Sequence, residues 1–335
     1  MKKFVLFTFL LLTLSLCFAQ EKKAEPKKSS HLWSFSLTTD FAYSPKSDYV
    51  KGKDHFAPVT AAYSSIGVRM TGKASQSIPI PFGTSDLVKG NTLDFTYGLE
   101  LSPLTIMPTF DVSFTPIAFL VFSAGANIGT GWFLPGLNLQ GIARLVDPNK
   151  AEMTEAYESL SSFNNYYLDT YLGATFQFDV AALWPGDWHH IVSMANFTGH
   201  YTAMTGVPNG EIWAWQGSGN QANGWNYKAQ FVLGYQMPLP LAMIALNTEL
   251  SGHFNGNDYD STKYPNYNGS FMSVDFVPFL AFAFGEKHSL LLACYVSSRR
   301  SFSSSHDHPN IEPLLNYSGK EWFFKQLALS YTVKF

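Results

Sequence analysis

Acidic side chains recur along this 335-residue chain at positions that share strand parity. Asp94 and Glu100 stand six apart, Asp169 and Asp179 ten apart, and Asp111, Glu249 and Asp275 alternate with apolar neighbours. In an extended chain such spacing puts each set on one face. Arg69, Lys228 and Arg299 fall on the same parity, as do His200 and His253. The chemistry open to such a set is electrostatic. Ionised carboxylates around a wet cavity set a negative potential that favours cations. In a sealed cavity the same groups would pair with bases or share protons. Both readings stay open at this level.

Other constellations are weaker. Ser305-His306-Asp307-His308 has the side chains of a catalytic triad, but as sequence neighbours, whereas triads draw them from separate elements. The run Asn255-Gly-Asn-Asp-Tyr-Asp260 lacks the glycine and distal glutamate of a calcium loop. Gly217-Ser-Gly219 reads as a turn, and Trp213, Trp215 and Trp225 read as packing around a loop rather than as a ligand platform. No G-x-S-x-G, H-E-x-x-H, P-loop or dinucleotide fingerprint occurs. The residues call for no catalytic set, metal or cofactor, and nothing in them suits nucleic acid.

The elements that must position the charges are strands. Only 14% of residues are charged, against about a quarter in a typical soluble domain. A mean hydropathy of −0.02 excludes a helical membrane bundle. The 29 Phe, 17 Tyr, 25 Gly and 18 Pro suit many strands joined by turns. Period-two alternation is clear over 32–44, 91–102, 167–181, 225–237 and 322–335. It is less regular over 58–71, 106–115, 118–131, 189–203, 241–254, 270–284 and 289–301. That makes about 12 strands. Short turns fall at Thr115–Ala118, Trp184–Trp188, Pro238–Pro240 and Gly285–Lys287; long polar loops fall at 45–57, 132–166, 204–224, 255–269 and 302–320. One stretch breaks this rhythm: 72–90 is long and Ser102-Pro103 short, unless Ser75–Phe82 extends a strand. In loop 132–166, Asp147-Pro148 followed by Met153, Ala156, Tyr157 and Leu160 predicts a short helix over 148–162 with a buried stripe.

The ends complete the pattern. Residues 1–19 have the basic start, apolar core and small-residue exit of a signal peptide, and 20–31 form a charged tether. Residues 32–335 are then one domain. Its last strand places Phe323, Leu327, Leu329, Tyr331, Val333 and Phe335 on one face. This segment resembles the closing strand of outer-membrane β-barrel proteins of diderm bacteria, porins and transporters among them. The resemblance implies an insertion signal at Leu329, Tyr331, Val333 and Phe335, read by the barrel-insertion machinery.

The expected molecule is all-β: a single transmembrane antiparallel up-and-down β-barrel in the cell outer membrane, with lipid outside and a polar lumen inside. Arg69, Asp94, Glu100, Asp111, Asp169, Asp179, Lys228, Glu249, His253 and Asp275 are its candidate pore-lining residues. The expected function is a channel or transporter for small polar solutes or ions with an acidic, cation-favouring lumen. The rivals are a plugged structural or adhesive surface barrel, an apolar-solute transporter and a barrel hydrolase. The sequence leaves the substrate and the oligomeric state open.

Overall fold

The computed structural model describes residues 32–80, 82–85, 87–147, 150, 153–303 and 316–335. The expected signal peptide, the tether and the Ser305–His308 run lie outside them.

Twelve long strands form one antiparallel sheet. They are β1 (Leu32–Lys46), β2 (Ala61–Pro79), β3 (Thr92–Leu101), β4 (Thr105–Ile117), β5 (Leu120–Gly131) and β6 (Tyr167–Asp179), followed by β7 (Ile191–Met204), β8 (Gly224–Gln236), β9 (Leu241–His253), β10 (Ser273–Phe284), β11 (His288–Phe302) and β12 (Tyr317–Lys334). Each pairs with its sequence neighbour, and β1 pairs with β12 from Ser36↔Lys334 to Tyr43↔Leu327, so the sheet closes on itself. Closure removes the unpaired edge that a bilayer cannot satisfy. Above Tyr43, β1 leaves the seam. The two-residue segment His55–Phe56 pairs there with Glu321–Trp322 and patches the gap.

The direct pairings put the apolar residues of neighbouring strands on one common face. Phe41 lies opposite Val68 and Leu329, Tyr97 opposite Phe110, and Phe231 opposite Ala195. Every barrel strand exposes at least one large apolar side chain there, from Phe35 and Met70 to Leu292 and Leu327. In a protein surrounded by water so much exposed apolar surface would be unstable. In a bilayer it is the outer belt. The chain termini and most short turns lie at one end of the barrel and most long loops at the other, as between periplasm and exterior; the exceptions are the connection at 80–91 on the terminal end and the short one at 102–104 on the loop end.

Several local expectations change. The break at 72–90 resolves in part: β2 runs to Pro79, so Ser75–Pro79 extends that strand and the turn shrinks to 80–91, while the connection at 102–104 stays short. The helix expected over 148–162 is one turn, Met153–Ala156. Tyr157–Ser159 instead pairs with Ala143–Leu145, because an available strand edge satisfies more backbone groups than an isolated helix of that length. Ala156 and Tyr157 of the expected stripe are buried, and Leu160 packs beside Trp213 and Trp215. Phe323 does not face lipid. A bulge in β12, where Gln326 pairs with Tyr295 but Phe324 with Val296, reverses parity above it. Trp322 now shares the outward face, and Phe323 turns inward over the Arg299 guanidinium, 4.3 Å from ring centroid to Cζ.

The long loops fold together. Segments Tyr157–Ser159, Ile142–Leu145, Ile212–Trp215 and Ser218–Ala222 make a four-stranded antiparallel sheet over the outer mouth. Ile142, Ala143, Ile212, Trp213, Ala214 and Ala222 are its buried core. Trp213 and Trp215 thus pack between the loop sheet and the outer ends of barrel strands, both against Tyr167, whereas Trp225 faces outward beside Tyr201 on the membrane surface.

Candidate functional site

The barrel interior is the candidate site, and it has two unlike walls. On β8–β12 and β1 the inward residues include Val232, Met243, Ala245, Val277, Phe279, Ala281, Ala293, Tyr295, Ala328 and Ala42, packed into one buried cluster. The lumen on this side is filled by side chains. On β2–β6 the inward set is polar and half-exposed, including Lys73, Ser75, Asp94, Thr96, Asp111, Ser113, Asn127, Thr175 and Asp179. The apolar wall was not expected. In β9–β11 inward Val, Ala and Phe alternate with outward Leu, Ile and Phe, so period-two contrast is lost and only pairing reveals the faces.

The predicted pore-lining residues all point inward, but they divide by partner. On the filled side carboxylates are matched by bases. Lys228 Nζ lies 3.1 Å from Glu249 Oε1, and Gln230 Nε2 donates to Glu249 Oε2 at 2.9 Å. Asp275 sits 3.6 Å from Lys325 Nζ. Across the boundary with the polar wall, Arg69 of β2 bridges Asp40 of β1 and Glu100 of β3, each at 3.1 Å. Arg299 holds Glu321, which is fully buried and also takes a 2.9 Å contact from His55 Nε2. The inward bases are therefore not limited to Arg69, Lys228 and Arg299, the three that share the parity of the carboxylates. Lys73 and Lys325 are inward as well, the latter because it sits at the β12 bulge.

On the β3–β6 side no Lys or Arg is ion-paired to Asp94, Asp111, Asp169 or Asp179 among the described residues. Their partners are uncharged groups or imidazoles. Thr92 Oγ1 donates to Asp94 Oδ2 at 2.8 Å, and Tyr171 Oη donates to Asp111 Oδ2 at 2.7 Å. Asp179 accepts from the Ala181 N–H and lies 2.6 Å from His190 Nδ1. Asp169 accepts from Asn127 Nδ2 at 2.9 Å and contacts His200 Nδ1 at 2.9 Å. His253 is inward but covered at the outer rim, between Asp258 Oδ2 at 2.8 Å and the Tyr259 hydroxyl.

The outer end of the polar wall is covered by the loop sheet. Gln216, in the left-handed region at φ 51°, donates through Nε2 to Glu100 Oε1 at 3.1 Å and to Thr105 Oγ1 at 2.6 Å. All three residues are buried. The Trp215 ring occupies the place a side chain at Gly129 would take. Beyond the rim, hydrogen bonds from the Thr262 hydroxyl and N–H hold the Asp260 carboxyl below the usual carboxylate range.

Thr198 Oγ1, His200 and Asp169 form a hydroxyl–imidazole–carboxylate row, with Nε2 at 3.0 Å from the hydroxyl. The hydroxyl is itself buried and lies 3.4 Å from the Lys228 carbonyl. The nearby amide donors are committed, Asn127 to Asp169, Asn196 to Thr175 and Asn226 to Thr202. Nothing among these groups is aimed at where an oxyanion would develop. Groups of three or more His, Cys, Asp or Glu arranged to hold a metal do not occur among the described residues.

A closed antiparallel barrel with an apolar outer belt, a partly polar interior and short turns at the terminal end is an outer-membrane β-barrel protein. No family model and no curated protein matches the sequence. Among solved structures, the chain is similar to an outer membrane channel from Pseudomonas putida F1, at 11% identity and a TM-score of 0.44, over 93% of this chain and 100% of that one. It is similar to the translocator domain of autotransporter NalP from Neisseria meningitidis, at 12% identity and TM-score 0.33, over 92% and 89%. It is also similar to a Pseudomonas aeruginosa FadL homologue, at 9% identity and TM-score 0.33, over 90% of each chain. Overlaps this loose assign no activity to the chain.

Proposed function

We propose that this barrel is an outer-membrane channel for small polar solutes or ions, that its path follows the β3–β6 wall, and that it favours cations. The observation that carries this reading is the division of the interior. One wall is packed shut with its charges matched, and the other carries the half-buried Asp94, Asp111 and Asp179 and the buried Asp169, none of them paired to Lys or Arg among the described residues. Carboxyl groups gathered along one wall of a lumen favour cations over anions. Catalysis has no part in this reading, since the Thr198–His200–Asp169 row lacks an exposed nucleophile.

The test is single-channel recording in planar bilayers, with reversal potentials under a salt gradient. The expected result is cation preference, weakened in the triple variant D94N/D111N/D179N. A unit charge about 4 Å from a permeating ion contributes about 1 kcal/mol in water, so the permeability ratio should drop at least fivefold. Anion preference, or an unchanged ratio in the variant, would refute it. A second reading, a sealed surface barrel, is favoured by the buried Gln216–Glu100–Thr105 contact at the outer mouth. Absence of conductance in folded protein would select that reading.

A further inference from the structure

Among the described residues of the polar wall, one cation makes no ion pair. Lys73 lies on β2, pointing into the half-exposed lumen. Among the described residues it makes no ion pair, although the fields of Asp111, Asp40 and Glu100 reach it against that of Arg69. Asp40 and Glu100 are already bridged by Arg69. Asp111 is not: one oxygen accepts from Tyr171, and no base touches the carboxylate. Two opposite charges therefore face the barrel interior without closing on each other.

The register explains the separation. Lys73 pairs with Gly98 on β3, and Gly98 pairs with Thr109 on β4, two residues before Asp111. Lys73 and Asp111 thus stand two strands apart, about 10 Å across the sheet, and one rung apart along it. Gly98 between them contributes no side chain, and the Thr109 hydroxyl occupies the place a Cβ would take. Ser75 and Thr96, hydrogen-bonded to each other at 2.9 Å, supply hydroxyls at the level of Asp111. The gap is bounded by an ammonium at one end, a carboxylate at the other, and hydroxyls between.

We infer that this gap is a binding site for a small zwitterion, a solute carrying an ammonium and a carboxylate a few bonds apart. The solute's carboxylate meets Lys73, and its ammonium meets Asp111. A simple cation satisfies only Asp111 and a simple anion only Lys73, so the zwitterion gains both contacts at once and leaves neither wall charge uncompensated. The inference rests on the proposed channel reading for its route of access, but binding itself can be measured without transport.

The experiment is saturation-transfer NMR on the full barrel folded in detergent, with glycine, methylammonium and acetate as probes. Glycine is expected to bind at least fivefold more tightly than either half-molecule. K73M should lose that advantage while leaving methylammonium unchanged. D111N should weaken glycine and methylammonium together. K73R, which keeps the charge, should retain most of the glycine signal, and resistance of each variant to unfolding in gel migration establishes that it is folded. Glycine binding no tighter than methylammonium, or glycine binding unaffected in folded K73M, overturns the inference. Parallel bilayer recordings separate the two claims. Cation preference without glycine binding leaves the channel reading standing and removes the zwitterion. Glycine binding without conductance removes the channel reading and keeps the site.

Discussion

At the residue scale, single positions decide which parts of the interior are closed. Gly129 is one of them. Trp215 packs directly onto it, and Trp215 also stacks on Tyr167 at 4.7 Å between centroids. A side chain at 129 therefore excludes the indole. The substitution Gly129→Val is expected to lift this edge of the loop sheet, uncover Trp215, and break the neighbouring Gln216 hydrogen bonds. Overpacking of this kind typically costs about 1–3 kcal/mol. The check is limited trypsin digestion of folded protein: cleavage after Arg144, within the loop sheet, should accelerate severalfold relative to cleavage at Lys263 in another loop. Equal rates in variant and parent would show that Gly129 does not support the sheet. The same scale explains why charges legible in the sequence were not all equivalent. Parity identified Glu100, Glu249 and Asp275 as inward, but Arg69, Lys228 and Lys325 answer them. Asp94, Asp111, Asp169 and Asp179 have no such answer, and that distinction depends on which strand lies next to which.

At the element scale, β12 separates an insertion signal from a lipid-facing surface. Leu327 and Leu329 are outward at mid-strand, while Tyr331 and Val333 approach the terminal rim, where the Tyr331 hydroxyl lies 2.7 Å from His288 Nδ1. A basic residue at the bilayer midplane of such a strand costs about 2–4 kcal/mol, and near the interface about 0–1. Leu327→Lys is therefore expected to lower equilibrium stability in urea titrations in lipid vesicles by about 2–4 kcal/mol. Removal of Phe335, or Y331D/V333D, is expected to change that stability much less and to block assembly in cells instead, because these residues act as the proposed insertion signal. If the Phe335 deletion assembles normally in cells, the signal lies elsewhere. The β12 bulge shows the limit of reading an element from its sequence. Trp322-Phe323-Phe324 is apolar on both parities, so no alternation marks where the register slips. The slip appears only once β11 is alongside.

At the scale of the whole molecule, closure of β1 on β12 is the defining event. Within the seam, Thr38 and Thr332 are directly paired, and their hydroxyls are 2.8 Å apart. Paired Cα atoms in an antiparallel ladder stand about 4.5–5.5 Å apart, within the range a disulfide spans. T38C/T332C is expected to cross-link spontaneously on oxidation, and the oxidised barrel should resist heat unfolding in detergent gels more than the reduced one. The parent protein should show the folded and unfolded gel bands of an outer-membrane barrel. Failure of the cysteines to react in folded protein would place β1 and β12 in another register or leave the sheet open.

Much of this architecture follows from local chemistry. Alternation of large apolar with polar residues at period two sets the strand faces, and turn-forming residues set where most strands end. Those features, with the apolar outward residues of the terminal strand, are sufficient for a membrane barrel of about twelve strands. Inward parity at Asp94, Asp111, Asp169 and Asp179 is legible in the same way, because side-chain direction along a strand is a local property. What tertiary structure alone decided is who meets whom. The packed wall from Val232 to Ala328, the loop sheet that joins residues 142–159 to 212–222, and the single-turn helix all depend on partners distant in sequence. So does the state of Lys73, whose side chain is inward by parity but which makes no ion pair among the described residues because Arg69 occupies Asp40 and Glu100 and because Asp111 stands two strands away. Periodicity records which face a residue takes. The partner across the lumen is set by the closure and register of the whole sheet, which no local pattern encodes.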